Sequence, residues 1–331
     1  MRTHAIIPAM VLTAALAVGC TQRCPSADTL VPLETLLAEH NRNAAKIPYL
    51  RASARYDVTF ITEAGLPLPW SSYGYVFYAR GEDRLGPHDF ALVGKEAGND
   101  VFRMGTSTED NEYYAWASMG SNRFALIGRL DLAGAPGVEG AAIDPTQLPA
   151  ILGMSEWPNQ RGGLPTMALS MSHLPGEEIP ADEQCAYVLT SIARQPISRT
   201  ILFRRETYIR WDGDPNTPRR AFMVKVFDQQ GRRLITASLA DYRPIDCSQL
   251  ESPPDEPPVM PTDIQLHFAP PSAVGRSVKG GYISSMRIRL DELATPDLLY
   301  FEVARKRLPA SFPPEKIRIV DQHLRSRGQR P

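Results

Sequence analysis

The feature that most constrains the fold is an alternation of apolar and polar side chains that recurs along most of the chain. It is clearest in residues 199–246, where three alternating segments are separated by loops containing Gly, Pro or Asn. The middle segment places Phe222, Val224 and Val226 on one face. A period of two residues is typical of antiparallel strands with one buried and one solvated face. The sequence therefore predicts an antiparallel meander in this region.

The same alternation continues on both sides of the meander. The remaining alternating segments are 50–60, 73–80, 90–95, 101–105, 112–118, 124–130, 263–268, 282–290 and the edge strand 316–320. Most of the loops between them contain glycine or asparagine. An antiparallel sheet of this length curls, and its inner face must be filled or left as a cavity. The sequence predicts a mainly β (α+β) fold, in which a large curved antiparallel sheet forms an unclosed half-barrel.

Two segments have helical patterns. Leu33, Leu36 and Leu37 recur at helical spacing within residues 29–46, and Pro48 ends the pattern. A shorter candidate, 145–152, lies in a Gly- and Pro-rich insertion at 131–183. An apolar helical stripe before a sheet must be buried, so we expect both helices on the concave face. A flexible insertion without packing is the alternative for 131–183.

The first twenty residues indicate export. Residues 5–18 are apolar and too short for a permanent membrane helix, and Ala17, Val18 and Gly19 precede Cys20. Small residues before a cysteine resemble a bacterial lipobox, which predicts cleavage after residue 19 and a lipid on Cys20. An ordinary secretory signal is the alternative. We expect a tether at 20–28, a single domain at 29–321 and a frayed tail at 322–331. The N-terminal lipid would hold the protein at a bacterial envelope membrane, on the periplasmic side of the outer membrane.

The charge balance and the absence of known motifs exclude several classes of function. With 36 Lys and Arg against 37 Asp and Glu, the chain has no electrostatic reason to bind nucleic acid. The six histidines include no close pair with metal-ligand spacing, and no nucleophile elbow, phosphate loop or dinucleotide fingerprint occurs. We therefore expect no catalytic residues, no metal, no cofactor and no enzymatic activity.

The chain has four cysteines, Cys20, Cys24, Cys185 and Cys247. An exported protein permits disulfides. Because Cys185 and Cys247 both flank the meander, we predict a bridge between them. The alternative is two separate buried thiols, because a pairing cannot be read from a sequence.

The order of elements resembles a known superfamily. An N-terminal helix is followed by a long antiparallel sheet, an insertion and further strands, all behind a lipobox. The most similar motifs are 50–56, 101–105 with 112–116, 226–231, 240–245, 261–266 and 312–321. This arrangement resembles the LolA/LolB lipoprotein carriers, in which a half-barrel closed by helices holds acyl chains without a reaction. The resemblance implies a half-barrel that binds an acyl chain, a lipoprotein cargo or another apolar ligand.

The resemblance and the alternation together predict which side chains line the concave face. The candidate ligand-lining residues are Leu33 and Leu37 on the first helix, and Tyr56, Val58, Phe60, Tyr75 and Phe77 on the first two strands. A closed, dry core would produce the same alternation. The competing hypothesis is an envelope protein that uses its sheet for protein contacts. A carrier predicts an apolar cavity between helix and sheet, whereas an interaction protein predicts a filled core and an exposed apolar patch.

Overall fold

The computed structural model of the protein describes residues 30–62, 64–82, 87–119, 122–133, 145–157, 167–173, 185–194, 201–210, 219–228, 230–270, 282–295, 308–309 and 312–322. Two α-helices occur within these ranges, α1 (Leu33–Ala45) and α2 (Leu148–Ile151). The strands are β1 (Tyr49–Ile61), β2 (Pro67–Ala79), β3 (Asp89–Glu96), β4 (Asn99–Ser107), β5 (Glu112–Met119), β6 (Asn122–Arg129), β7 (Met167–His173), β8 (Cys185–Arg194), β9 (Ile201–Arg210), β10 (Ala221–Phe227), β11 (Arg233–Pro244), β12 (Val259–Phe268), β13 (Tyr282–Ala294) and β14 (Ile317–Ile319).

All fourteen described strands form one sheet in the order β14-β6-β5-β4-β3-β2-β1-β13-β12-β11-β10-β9-β8-β7. Each pair is antiparallel except β14 with β6, which is parallel. Two meanders are therefore joined where β1 pairs with β13, and β1 registers with β2 along its whole length. The two edge strands, β7 and β14, do not pair with each other in the described part of the chain. The predicted unclosed antiparallel half-barrel is confirmed.

One face of the sheet is covered by both helices and is called the covered face. Its core includes Tyr56 and Val58 of β1, Leu92 of β3 and Ile264 of β12, all buried. Leu148 and Ile151 of α2 pack into the same cluster, and the Tyr78 hydroxyl donates to the Met154 carbonyl at 3.0 Å. The insertion therefore packs on the sheet, as its apolar residues predicted. Alternation along the strands turns the remaining side chains to the other face, called the open face, which carries charged and aromatic side chains and two smaller apolar clusters around Tyr114 and Tyr208.

The helix α1 covers the far end of this face. Leu36 and Leu37 are buried against Tyr187 and Leu189 of β8 and Ile209 of β9. The helix begins after Pro32, which suits a first turn whose N–H groups have no intrahelical partner. At its C-terminus, the Arg80 guanidinium donates to the carbonyl oxygens of Ala44 (2.5 Å) and Ile47 (2.9 Å). A cation at this end also complements the helix dipole.

The meander contains one departure from the predicted alternation. Ala221 pairs with Ile209, whereas Met223 pairs with Tyr208, so Phe222 is an extra residue in β10. Phe222 consequently packs with Tyr208 and Met223 on the open face, not with Val224. The prediction that Phe222 shares a face with Val224 and Val226 is wrong, because a β-bulge shifts the alternation by one residue.

The predicted bridge between Cys185 and Cys247 is also wrong. Cys247 is a buried free thiol, and burial raises the pKa of that thiol. Cys185 is disulfide-bonded, to a partner outside the described residues. The strands β9 and β10 lie between β8, which begins at Cys185, and β11, which precedes Cys247. Three strand spacings amount to about 14 Å, twice the Cα separation of about 7 Å that a disulfide can span.

The N-terminal signal, Cys20, Cys24 and the tail beyond residue 322 lie outside the described residues. Within the described ranges, no helix is both long and apolar enough to span a bilayer. The predicted final edge strand is present as β14, and Phe312 before it packs on Tyr114 and Trp116 of β5.

The first prediction concerns Gly74 of β2, which lies against the backbone of β3. A Cβ atom on Gly74 would lie 1.8 Å from the Val93 carbonyl oxygen, which belongs to the backbone and cannot rotate away. We expect Gly74→Ala to lower the free energy of unfolding by about 3 kcal/mol. Gly65→Ala is the control, because Gly65 has φ of 78° but nothing within 4 Å of the added atom, so strain alone costs about 1 kcal/mol. Urea denaturation measures both, and equal losses would contradict the close approach.

Candidate functional site

The predicted lining residues of β1 lie in a filled core. Tyr56, Val58 and Phe60 are buried on the covered face. The Tyr56 and Phe102 rings meet edge to face at 4.9 Å, and the Trp70 ring meets Phe102 at 5.6 Å. The void beside them measures about 20 Å³, which is the space of a single water molecule. This void among the predicted lining residues is too small for any ligand larger than water.

The prediction that Tyr75 and Phe77 face the same space is wrong. Tyr75 pairs with Ser53 and Phe77 pairs with Arg51, and directly opposed residues of an antiparallel pair share a face. Both aromatic rings therefore lie on the open face. The Arg51 guanidinium lies 5.1 Å from the Tyr75 ring centroid and the Lys95 ammonium 5.5 Å from it, within the range of cation–π attraction.

The helix residues also lie elsewhere than predicted. Leu33 and Leu37 pack with Tyr187, Leu189 and Ile209, at the β8–β9 end of the sheet. Strands β13 to β10 separate that end from β1. The seven predicted residues therefore form three groups: a filled core, an aromatic surface on the open face, and a helix–sheet contact.

A larger cavity lies between α1, the segment after α2, and strands β9 to β12. Its volume is about 200 Å³. An apolar cavity of about 150 Å³ is large enough to bind benzene. The floor is formed by Ile209, Val224 and Leu239, and the complete lining is Leu36, Glu39, His40, Asn43, Ala150, Ile151, Leu152, Gly153, Trp157, Thr207, Ile209, Arg219, Arg220, Ala221, Val224, Leu239, Tyr242, Val259 and Pro261.

Two asparagines of α1 hold the roof of this cavity. The Asn41 amide nitrogen donates to the Trp157 carbonyl (2.9 Å), and the Trp157 backbone N–H donates to the Asn41 oxygen (2.7 Å). Asn43 makes the same reciprocal pair with the backbone of Val259, both at 2.9 Å. Because each asparagine satisfies one donor and one acceptor, α1 is fixed to the insertion and to β12 at once.

His40 adds a third attachment. Its ring stacks on the Trp157 indole, with centroids 3.6 Å apart and planes within 2°, and its Nε2 lies 2.9 Å from the Ser155 carbonyl oxygen. Burial, with a smaller effect from the positive Arg205, lowers the pKa of His40 from 6.5 to about 4, although the hydrogen bond with Ser155 opposes the shift. His40 is therefore neutral at pH 7, and Nε2 carries the proton that Ser155 accepts.

The polar side of the cavity is formed by residues that the sequence did not indicate as functional. Arg219 is ion-paired with Glu39 of α1. The Arg220 guanidinium carbon lies 5.2 Å from the Tyr242 ring centroid, and the Tyr242 hydroxyl donates to the Ala221 carbonyl at 2.6 Å. Asp241 has φ of 53°, and past this residue the alternation of β11 changes, so that Tyr242 reaches the cavity.

An apolar floor and roof with a guanidinium side can hold a small amphipathic molecule. Among the residues that the structure describes, no group of three or more His, Cys, Asp or Glu side chains is placed to hold a metal ion.

Comparison with known proteins gives structural similarities only. No family model matches the sequence, and no curated protein matches it. A DUF1329 family protein from Desulfovibrio piger is similar with a TM-score of 0.48 and 10% identity, over 84% of this chain and 98% of that chain. A putative outer membrane lipoprotein-sorting protein domain from Vibrio parahaemolyticus has a TM-score of 0.40 and 11% identity, over 82% and 96%. A LolA superfamily protein from Nitrosomonas europaea has a TM-score of 0.40 and 14% identity, over 81% and 96%.

Two of these three proteins carry the names of the lipoprotein-sorting superfamily that the sequence motifs resemble. The half-barrel fold is shown by the strand order and register of this chain itself.

The state of His40 generates the second prediction. Its pKa is lower in the folded chain than in the unfolded chain, so the unfolded chain binds the extra proton first as the pH falls. The contribution of His40 to stability should therefore be constant above about pH 7 and decrease between about pH 6.5 and pH 4. In His40→Gln, which keeps a donor for Ser155 but cannot titrate, this part of the loss, about 3 kcal/mol, should be absent. Urea titrations at several pH values measure the difference, and identical pH slopes would contradict the prediction.

Proposed function

We propose that the protein is an exported lipoprotein, anchored through Cys20 to the periplasmic side of the outer membrane, that binds an acyl chain or another apolar ligand without catalysing a reaction. The observation that carries the proposal is the cavity of about 200 Å³ under α1, between helix and sheet. A carrier needs such a space, whereas a protein that uses its sheet only for contacts does not. The lipobox-like sequence before Cys20 supports export and anchoring.

The energetics of such binding require no reactive group. Each methylene group that leaves water contributes about 0.8 kcal/mol, and Leu36, Ile151, Ile209, Val224 and Leu239 offer the necessary apolar contacts. The ligand would be short, because the void is below the range of about 300 to 1,000 Å³ that is usual for drug-sized ligands. A longer chain, or the lipid of a lipoprotein cargo, would require α1 and the insertion to move apart.

A second function, protein contact in the envelope, is favoured by a different observation. The turn between β1 and β2 exposes 63% of the surface of Leu66, and β2 itself exposes 45% of Leu68 and 67% of Tyr73. The filled core beneath β1 and β2 supports the same alternative. Under this hypothesis the turn touches a partner or a membrane, and the cavity under α1 stays empty.

The third prediction tests ligand binding. We expect 1-octanol, a neutral probe with a short chain, to bind the wild-type protein, and Ala150→Phe to weaken binding at least tenfold, because Ala150 lines the cavity and a phenyl ring would occupy it. Isothermal titration calorimetry measures both. Native mass spectrometry of extracted protein looks for a co-purified lipid in parallel.

The matched control is Ala38→Phe, because Ala38 is exposed on α1 and does not line the cavity. It should bind 1-octanol as the wild type does. If the folded wild type does not bind the probe, or if both variants bind as well as the wild type, the carrier proposal fails and the interaction protein is left.

The fourth prediction tests the anchor. We expect intact-mass analysis of the protein from bacterial membranes to show cleavage before Cys20 and a lipid on that residue, because small residues precede it at the end of an apolar run. Cys20→Ala should yield uncleaved or unlipidated protein. Recovery of wild-type protein without a lipid on Cys20 would refute the anchoring.

A further inference from the structure

The polar side of the cavity contains more positive than negative charge. Arg219 and Arg220 both line it, and Glu39 supplies the carboxylate among the lining residues. Glu39 is ion-paired with Arg219. His40 also lines the cavity but is neutral at pH 7, because burial lowers its pKa to about 4. Glu156 precedes Trp157, but it does not line the cavity, and its charge acts on Tyr78.

The Nε of Arg220 is a donor without an acceptor. It is shielded from water and has no hydrogen-bond partner. In the described part of the chain, no carboxylate forms an ion pair with Arg220, and its charged group lies beside the Tyr242 ring. Tyr242 is itself held by its hydrogen bond to Ala221, so the guanidinium lies against a fixed surface. A desolvated donor of this kind costs free energy unless an acceptor reaches it.

A second guanidinium, that of Arg205, makes the electrostatic potential near the cavity more positive. Arg205 lies two residues before Thr207 on β9, and Thr207 lines the cavity. The two side chains share the covered face, because Arg205 pairs with Val226 and Thr207 with Val224. The Arg205 Nε is also shielded from water and unpartnered. Burial lowers the pKa of Arg205 to about 10, so it is still charged at pH 7, and its charge acts on His40.

We infer that the cavity takes an anionic amphiphile, whose aliphatic chain lies on Ile209, Val224 and Leu239 and whose acid group accepts hydrogen bonds from Arg220. A guanidinium presents parallel N–H donors that match two oxygens of a carboxylate or a phosphate. The inference rests on the proposed function, since it names the ligand class of the same cavity. Arg219 contributes less to binding of the acid group, because Glu39 already neutralises its charge.

Four probes with the same chain separate head-group preference from chain binding: octanoate, octyl phosphate, 1-octanol and octylamine, each titrated calorimetrically into the wild-type protein. We expect at least one of the two anions to bind about tenfold or more tightly than 1-octanol, and octylamine to bind most weakly. The stronger of the two anions indicates whether a fatty-acid carboxylate or a phosphate head group is preferred.

Variants assign the preference to one residue. Arg220→Gln should remove it, so that neither anion binds more tightly than 1-octanol, and Arg220→Lys should restore part of it. Arg287→Gln is the control, because Arg287 carries the same charge on the open face and is 48% exposed. It should retain the full preference.

Two outcomes would overturn the inference: 1-octanol binding as tightly as both anions, or an anion preference that persists in folded Arg220→Gln. Failure of all four probes to bind would instead refute the proposed function, so the two failures are distinguishable. Thermal unfolding of each variant establishes that a lost preference is not a lost fold.

Discussion

The reciprocal hydrogen bonds of Asn41 and Asn43 are the constraint on which the site depends. A single helix of 13 residues cannot be fixed on a large sheet by leucine contacts alone, because apolar contacts are not directional. Asn41 pairs with the backbone of Trp157, and Asn43 pairs with the backbone of Val259. These pairs define the height of α1 above β12 and hold the insertion beside it. The cavity exists because α1 and the insertion meet at their polar residues, leaving the floor between them uncovered.

The covered face is filled to different degrees along the sheet. At the β1–β5 end, the Phe102 ring fills the space over Gly94 and packs against Tyr56 and Trp70, and the remaining void is about 20 Å³. At the β9–β12 end, the floor consists of the smaller Val224, Leu239 and Ile209, and the void is ten times larger. Large aromatic side chains thus fill the covered face beneath β1 to β5, whereas the aliphatic floor beneath α1 leaves the larger cavity. The open face is stabilised differently, by ion pairs across neighbouring strands such as Arg287 with Asp263 and Arg289 with Asp57.

Backbone irregularities give the cavity its polar side. The bulge at Phe222 shifts β10 by one residue, and the left-handed Asp241 shifts the alternation of β11. Asp241 tolerates this conformation because its carboxylate accepts a hydrogen bond from Thr262 and pairs with Arg243, which lowers the pKa of the carboxyl. Bulges are frequent beside binding sites because they redirect side chains. In this chain the redirected residues include Tyr242, the surface on which Arg220 rests.

The sequence by itself predicted both helices, the open half-barrel and the described strands apart from β7 and β8, because alternation and helical spacing are local consequences of burying one face of each element. β7 lies inside the predicted insertion 131–183, and β8 follows that insertion directly. The sequence also indicated correctly that the insertion packs on the sheet. Tertiary structure alone decided the rest. The faces of β2 depended on its register with β1, since Tyr75 and Phe77 alternate with the equally apolar Val76 and Tyr78. Cys185 and Cys247 cannot form a disulfide because two strands, β9 and β10, lie between them in the sheet. The site depended on residues 39–43 meeting Trp157, Arg219 and Val259, contacts between distant parts of the chain that no local pattern specifies.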